Sequence, residues 1–323
     1  MISVIIPIYN SSKTLERCLK SIFNSNFKDF EVIIVDDQSK DNSVEIAKKF
    51  NVTVIRNETN SGPAITRNNG AKIAKGDILA FVDSDCVVPE EWLKKFYDYL
   101  KNNKDVVAVT GPYSGSVKKK FMCLFQHYDI LYFQRNSPKF LNSCSSSNLA
   151  CRKNAFIKVN GFPPIMVNED MEFASKLSKI GKIYWFKNNG VLHDFRSEFK
   201  PYFKQQISWA VSMIRSYLSK PNMMKEKVSF SRFNIVAQLT LTGLLVLSLL
   251  TGIFISYFLI VSLLLFLMIM GINFGFLSYI KKEINFKFAV LSGLFIFVRN
   301  IIWIYGLILG FIKYFLKKDS SYW

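Results

Sequence analysis

The chain has 323 residues, with 42 Lys plus Arg against 24 Asp plus Glu and a formal net charge of +18. A balance this basic implies a polyanionic partner, nucleic acid or an anionic membrane, and excludes an acidic, solvating protein. Composition breaks near residue 232, and over 234–312 the sequence is almost entirely Leu, Ile, Val, Phe, Gly and Ser; a nucleic-acid binder leaves that tail unexplained, so no nucleic acid is expected and the membrane is the simpler partner.

In chain order, 3–9 (SVIIPIY), 31–37 (EVIIVDD), 52–57 (VTVIRN), 78–83 (ILAFVD) and 106–111 (VVAVTG) read as strands. They are continuously apolar, as in a sheet covered on both faces. Helices are expected near 12–24, 42–50, 63–75 and 89–103, the second capped by Asp41 or Asn42 and the fourth opened by Pro89 with Glu90 and Glu91 in its first turn. Repeated β-α-β units predict an α/β, doubly wound sheet that binds ligands beyond the strand C-termini. Asn10, Asp36, Asp37, Asp83 and Asp85 collect at those ends.

Beyond residue 111 the regularity fades. A basic loop covers 114–120, 142–152 (NSCSSSNLACR) is a polar strand or loop, and 168–180 has helical spacing. Helical intervals over 199–218 give an amphipathic helix suited to a membrane interface or to ordinary core packing. In the tail, 233–253, 254–276 and 288–312 are each long enough to cross about 30 Å of hydrocarbon. Lys281, Lys282 and Lys287 put their loop and the N-terminal domain in the cytoplasm. Three spans would leave Lys313, Lys317 and Lys318 outside, so the third segment is a candidate broken hairpin. Arg299 and Asn300 fall in its middle, where they meet a lipid phosphate or a partner inside the bundle. Domains are expected at 1–195 (catalytic), 196–232 (basic, amphipathic, juxtamembrane) and 233–323 (about three spans with a short basic tail).

Five cysteines, Cys18, Cys86, Cys123, Cys144 and Cys151, are odd in number and lack Cys-x-x-Cys spacing. They fit free thiols in a reducing cytosol better than disulfides or a zinc site. No basic leader precedes the first strand, so the N-terminal part is expected to stay where it is made.

Asp83-Ser84-Asp85 is the strongest chemical feature. Two carboxylates at a strand end can serve ribose hydroxyls and a divalent cation, Mg²⁺ or Mn²⁺, that neutralises charge on a leaving diphosphate. Asp36-Asp37 ends an earlier strand, as loop caps or as acceptors from base or ribose. Arg67 aims a guanidinium from a helix toward the same rim. Glu169-Asp170-Met171-Glu172 begins another helix. Helix-start acids suit the dipole, but Asp170 is the candidate base for an acceptor hydroxyl. His193 reads as a third metal ligand or as a packed histidine.

Residues 5–10 (IIPIYN), 35–41 (VDDQSKD), 60–70, Asp83-Ser84-Asp85 and Glu169-Asp170, in this order and spacing, resemble the motifs of glycosyltransferase family 2 over roughly 1–195. The resemblance implies a GT-A fold, a nucleotide-sugar donor, most often UDP-linked, a divalent metal and inversion. It assigns Pro7, Tyr9, Asp37 and Arg67, with Asp36 supporting, to the nucleotide-sugar site, Asp83 and Asp85 to ribose-diphosphate and metal, and Asp170 to base catalysis. Beside it, Ser84 is a candidate nucleotide-sugar residue, His193 a candidate metal ligand, and Glu169 and Trp209 candidates for the acceptor side. Processive synthases of this family carry Gln-x-x-Arg-Trp, whereas this chain has Gln205-Gln206-Ile207-Ser208-Trp209, which argues against polymer synthesis. Polyprenyl-phosphate sugar synthases are similar in size and anchoring but need no base. The acidic pair therefore favours a hydroxyl on a membrane-borne, lipid-linked saccharide, with polyprenyl phosphate as the alternative acceptor and a silent nucleotide-sugar-binding protein as the rival from another class. A dehydrogenase is disfavoured because Pro7-Ile8-Tyr9-Asn10 replaces the glycine-rich turn.

Overall fold

The computed structural model describes residues 1–165, 168–219 and 232–316. The basic residues expected at 220–231 and 317–323 lie outside them. The chain divides into two compact units, one of 1–119 and 134–195, the other of 120–133 and 196–323.

In the first unit, β1 (Ile2–Ile8) pairs in parallel with β2 (Phe30–Asp36) and β4 (Ile78–Val82), and β2 with β3 (Thr53–Arg56). The sheet continues through β9 (Asn148–Arg152), β6 (Val106–Thr110), β10 (Lys182–Trp185) and β8 (Phe140–Leu141) in the order β3-β2-β1-β4-β9-β6-β10-β8. Because β9 runs antiparallel to both β4 and β6, the sheet is mixed. The polar stretch before β9 gives no sign of this, yet Leu149, Ala150 and Cys151 are fully buried between two strands. Residues of β1 alternate between two cores. Val4, Ile6 and Ile8 pack with α1 (Leu15–Phe23), α2 (Ser43–Ala47) and α4 (Trp92–Asn102). Ile5 packs on the other face with α3 (Gly62–Ile73). A Cβ at Gly70 would stand 2.6 Å from Ile5 Cγ2, so glycine lets α3 settle onto β1.

The fourth helix departs from its predicted start. It begins at Trp92, whose amide donates to Pro89 O, so Glu90 and Glu91 occupy the preceding turn. There Glu90 Oε1 accepts from Asn24 Nδ2 at 2.7 Å and Glu90 O accepts from Asn26 N at 3.1 Å, which ties this turn to the segment after α1.

A smaller sheet, β5 (Cys86–Val87), β11 (Val191–His193) and β7 (Tyr113–Ser116), stands beyond the C-terminal end of β4. Its pairing of His193 with Cys86 brings residues more than a hundred positions apart alongside the Asp-x-Asp turn.

The second unit holds α5 (Phe121–Gln134), α8 (Phe199–Ser219), α9 (Arg232–Gly252), α10 (Tyr257–Ile272), α11 (Phe274–Glu283) and α12 (Phe286–Phe315). Helices α9 and α12 are long and apolar enough to cross a membrane, and α10 with α11, bent by 61°, would make a third span if counted as one. The expected broken hairpin in the third segment is not seen. Helix α12 is continuous over 30 residues, and the break falls between α10 and α11, where Asn273 Nδ2 donates back to Ile269 O. Arg299 Nη1 pairs with Asp129 Oδ2 at 2.9 Å and the buried Asn300 donates through Nδ2 to Thr242 Oγ1 at 3.2 Å, so both polar groups find partners within the bundle. Gly306 and Gly310 seat α12 on α8, since a Cβ at Gly310 would fall 2.3 Å from Ile214 Cγ2.

Candidate functional site

The parallel register of β1, β2 and β4 delivers Tyr9, Asp36-Asp37 and Asp83-Ser84-Asp85 to one edge of the sheet. Pro7 is half-buried inside β1 and Tyr9 is 52% exposed just past its end. Asp36 has no exposed surface. Its Oδ1 accepts from Ser39 N and its Oδ2 faces Arg56 Nε at 3.1 Å, so it shapes the loop after β2.

Asp37 caps α3 from a distance. Its Oδ1 accepts from Ser61 N at 2.8 Å and Asn57 Nδ2 at 2.7 Å, and its Oδ2 accepts from Gly62 N at 2.9 Å. The first turn of a helix leaves amides without intrahelical acceptors, and a carboxylate there also meets the positive end of the helix dipole.

From that anchored helix, Arg67 reaches across the rim. Nη2 donates to Asp83 Oδ1 at 2.7 Å and Nη1 to Glu169 Oε1 at 3.1 Å, while the guanidinium lies 5.6 Å from the Phe162 ring centre. Burial works against its charge, but Asp83 and Glu169 outweigh burial and hold it as a cation. The next residue, Asn68, fixes the loop before the acidic helix by donating to Phe162 O at 2.8 Å and accepting from Phe162 N at 2.9 Å.

Glu169 and Asp170 open α7 (Glu169–Ser178) after Asn168, which adopts left-handed backbone. Burial pushes the Glu169 carboxyl up in proton affinity, and the neighbouring Asp170 charge adds to this. Burial also raises Asp170, with Asp83 contributing, against the opposing pull of Arg67 and the Met171 amide. One guanidinium thus serves three carboxyl groups.

Ser84 Oγ donates to Ser11 Oγ at 2.8 Å. Asp85 turns the other way, with Oδ1 at 3.5 Å from His193 Nε2. The His193 ring is held by Tyr113 and Phe195, with centroids 4.8 Å and 4.4 Å away, and its Nδ1 is buried without a hydrogen-bond partner. Asp85, Cys86 and His193 bring one ligand atom each within 4.8 Å of one another. Burial, then the charges of Asp85 and Asp83, push the Cys86 thiol well up, and its soft sulfur matches a hard cation less well than the oxygen and nitrogen donors beside it. A carboxylate oxygen with an imidazole nitrogen fits Mg²⁺ or Mn²⁺, and the imidazole favours Mn²⁺. Trp209 lies in the second unit on α8, 44% exposed.

Sequence reading passed over Tyr113 and Asn148. Tyr113 backs His193 and bonds through its hydroxyl to Ser147 Oγ at 2.5 Å. Asn148 accepts from Trp92 Nε1 at 2.8 Å and donates to Pro112 O and Asn189 O, closing the sheet behind the site. Neither carries a periodic or motif signal.

Residues 3–159 match the family model described as glycosyl transferase family 2. A poly(ribitol-phosphate) beta-glucosyltransferase of Bacillus spizizenii is 40% identical over 116 residues, covering 33% of this chain and 18% of its own length. An uncharacterized glycosyltransferase of Haemophilus influenzae is 35% identical over 182 residues, covering 55% and 62%. This chain therefore spans less than two thirds of the length of these curated relatives. Among solved structures, a mannosyltransferase of Pyrobaculum calidifontis in complex with GDP-Man and Mn²⁺ aligns with a TM-score of 0.58 at 15% identity, covering 98% of this chain and 88% of its own. That likeness is one of fold, and the fold is GT-A.

Proposed function

We propose, for a chain that belongs to glycosyltransferase family 2 through residues 3–159, an inverting, metal-dependent transferase attached to a membrane. It moves a sugar from a UDP-linked donor to a hydroxyl of a lipid-linked saccharide. The observation that carries this reading is the bridge from Asp83 through Arg67 to Glu169, because it ties the donor rim to the first turn of α7, which carries Asp170.

In this reading the nucleoside lies along Pro7, Tyr9 and Asp37, and Asp83 and Ser84 face the ribose and diphosphate. Asp36 acts only by shaping the loop, and Arg67 acts by orienting Asp83. Asp85 and His193 would hold Mg²⁺ or Mn²⁺, which when bound neutralises charge on the departing diphosphate. Asp170 takes the proton of the acceptor hydroxyl. The oxygen lone pair forms the new bond to the anomeric carbon as the bond to the diphosphate breaks, and the electron pair leaves on the diphosphate. A single displacement inverts the anomeric centre. Burial raises the proton affinity of Asp170, which makes it a stronger base than an ordinary aspartate. Glu169 belongs to the acceptor side.

The relative named for poly(ribitol-phosphate) supports a hydroxyl acceptor, since ribitol offers only hydroxyls. Helices α9 and α12 support a membrane-spanning protein, and the positive-inside rule applied to Lys281, Lys282 and Lys287 supports a cytoplasmic catalytic domain. The test is a transfer assay on the full chain in lipid nanodiscs with Mn²⁺. UDP-, GDP- and dTDP-sugars are offered with a saccharide-capped lipid and, separately, with bare polyprenyl phosphate. Transfer to the saccharide with an inverted anomer, lost in Asp170→Asn, is expected. Transfer to the bare phosphate alone, or full turnover by the variant, overturns the reading.

A further inference from the structure

Outside the assigned residues, one cluster faces the same rim. Asp194 follows His193 directly, is 5% exposed in its side chain, and donates its backbone amide to Asp85 O at 2.9 Å. Its carboxylate holds two cations. Arg17 Nη2 of α1 lies 2.8 Å from Oδ2, and Lys118 Nζ, just past β7, lies 2.7 Å from Oδ1.

Both cations sit on anchored backbone. Val117 N donates to His193 O at 3.0 Å, and Ser116 Oγ donates to Lys118 O at 2.7 Å, so the basic loop is pinned where it passes β11. Arg17 stands one residue before Cys18, whose thiol contacts Asp83 O at 3.6 Å. Arg17 Nε is buried and has no hydrogen-bond partner, while the side chains of Arg17 and Lys118 remain 39% and 47% exposed.

Two cations on one carboxylate leave a net positive charge beside the Asp85–His193 pair. A buried carboxylate needs one good partner, and the second cation brings desolvation and ordering costs that a surface ion pair does not recover. The surplus charge is the part that an anion can use.

We propose that Arg17 and Lys118, positioned by Asp194, bind the diphosphate of the donor as a protein-supplied cationic pair that works alongside the metal. This rests on the nucleotide-sugar reading above. The ligand class is a nucleoside diphosphate, recognised through its phosphates and not through its base. Such a pair gives the site residual affinity for the nucleotide without metal, and that affinity weakens with salt. Asp194 is a positioning residue that touches no substrate.

The test measures UDP and uridine binding to the full chain by calorimetry, with Mn²⁺ and with EDTA, at low and high salt. The parent protein is expected to bind UDP in EDTA more tightly than uridine, with an advantage that falls as salt rises. Arg17→Gln with Lys118→Gln is expected to lose at least tenfold in UDP affinity in EDTA while uridine affinity stays within twofold. Arg17→Lys is expected to recover part of the loss. Asp194→Asn, which frees both cations from their anchor, is expected to weaken UDP binding and leave uridine unchanged. Equal UDP affinity in parent and double variant overturns the inference while the nucleotide reading stands. A parent protein that binds neither UDP nor any other nucleoside diphosphate overturns both.

Discussion

Arg67 and Glu169, 102 positions apart in the chain, meet at 3.1 Å through Nη1 and Oε1, and the same guanidinium donates to Asp83 at 2.7 Å. The arginine side chain is only 4% exposed, so its charge is spent inside the protein and not on solvent. It joins the donor edge of the sheet to the acidic helix.

Removing that cation leaves Glu169, Asp170 and Asp83 facing one another. Breaking one side of a buried pair typically costs about 3–5 kcal/mol, because the remaining charge stays desolvated. Arg67→Met is therefore expected to lower stability by that amount in urea unfolding of the full chain, and adding Glu169→Gln should restore part of it. A single variant as stable as the parent would show that the bridge contributes nothing net.

The acidic pair also sets a pH dependence. Burial first raises Glu169 and Asp170 above the usual carboxylate values of about 4.3 and 3.9, with the Asp170 charge adding at Glu169 and the Asp83 charge adding at Asp170. A group whose proton affinity is higher folded than unfolded contributes stability below its unfolded pKa and loses it as pH rises through the folded value. The pair should thus weaken the nucleotide-free protein between mildly acidic and neutral pH. Asp170→Asn, which keeps an oxygen for the Met171 amide, should raise the melting temperature by a few degrees at pH 8 and by less at pH 5. An equal difference at both values would mean that Asp170 is not raised.

Asp37 tests the division between binding and architecture. Its carboxylate takes the amides of Ser61 and Gly62 and the side chain of Asn57. Asp37→Ala strands three donors, at about 1–2 kcal/mol for the cap and more for groups left buried. A loss of about 2–4 kcal/mol in urea unfolding is expected, together with weaker nucleotide binding. If binding falls while stability is unchanged, Asp37 is a ligand contact and not a cap.

These residues show which parts of the molecule were legible in the sequence. The strands β1, β2, β4 and β6 announce themselves as continuous apolar runs, and their shared edge follows from parallel pairing. The Asp83–Asp85 turn and the start of α7 are local, so their positions could be read. The partner of Arg67 could not, because it comes from tertiary packing. Its predicted place at the nucleotide rim is met by a buried side chain that reaches Asp83 and Glu169. Likewise β9 hides in a small-residue stretch, since antiparallel insertion between two strands selects for size and not for alternation. In the tail, apolar composition marks the helices, but the break at Asn273 depends on a side chain returning to its own helix.

The Asp85–His193 pair gives the last prediction. One oxygen and one nitrogen donor 3.5 Å apart, on the turn after β4 and the end of β11, make a two-point site whose geometry is fixed by pairing of β11 with β5. A ligand that binds only the folded state stabilises it by about 2.7 kcal/mol at a hundred times its dissociation constant. Mn²⁺ should therefore raise the melting temperature of the full chain by several degrees in a saturable way, reversed by EDTA. Asp85→Ala should remove the shift altogether. His193→Ala should reduce it and narrow the gap between Mn²⁺ and Mg²⁺, because the remaining oxygen donors do not distinguish the two ions as imidazole does. Cys86→Ser serves as the control, since a soft sulfur contributes little to holding a hard cation and its loss should leave the shift in place. If His193→Ala keeps the full Mn²⁺ response, the histidine is a packed residue supported by Tyr113 and Phe195, and Asp85 holds the ion without it.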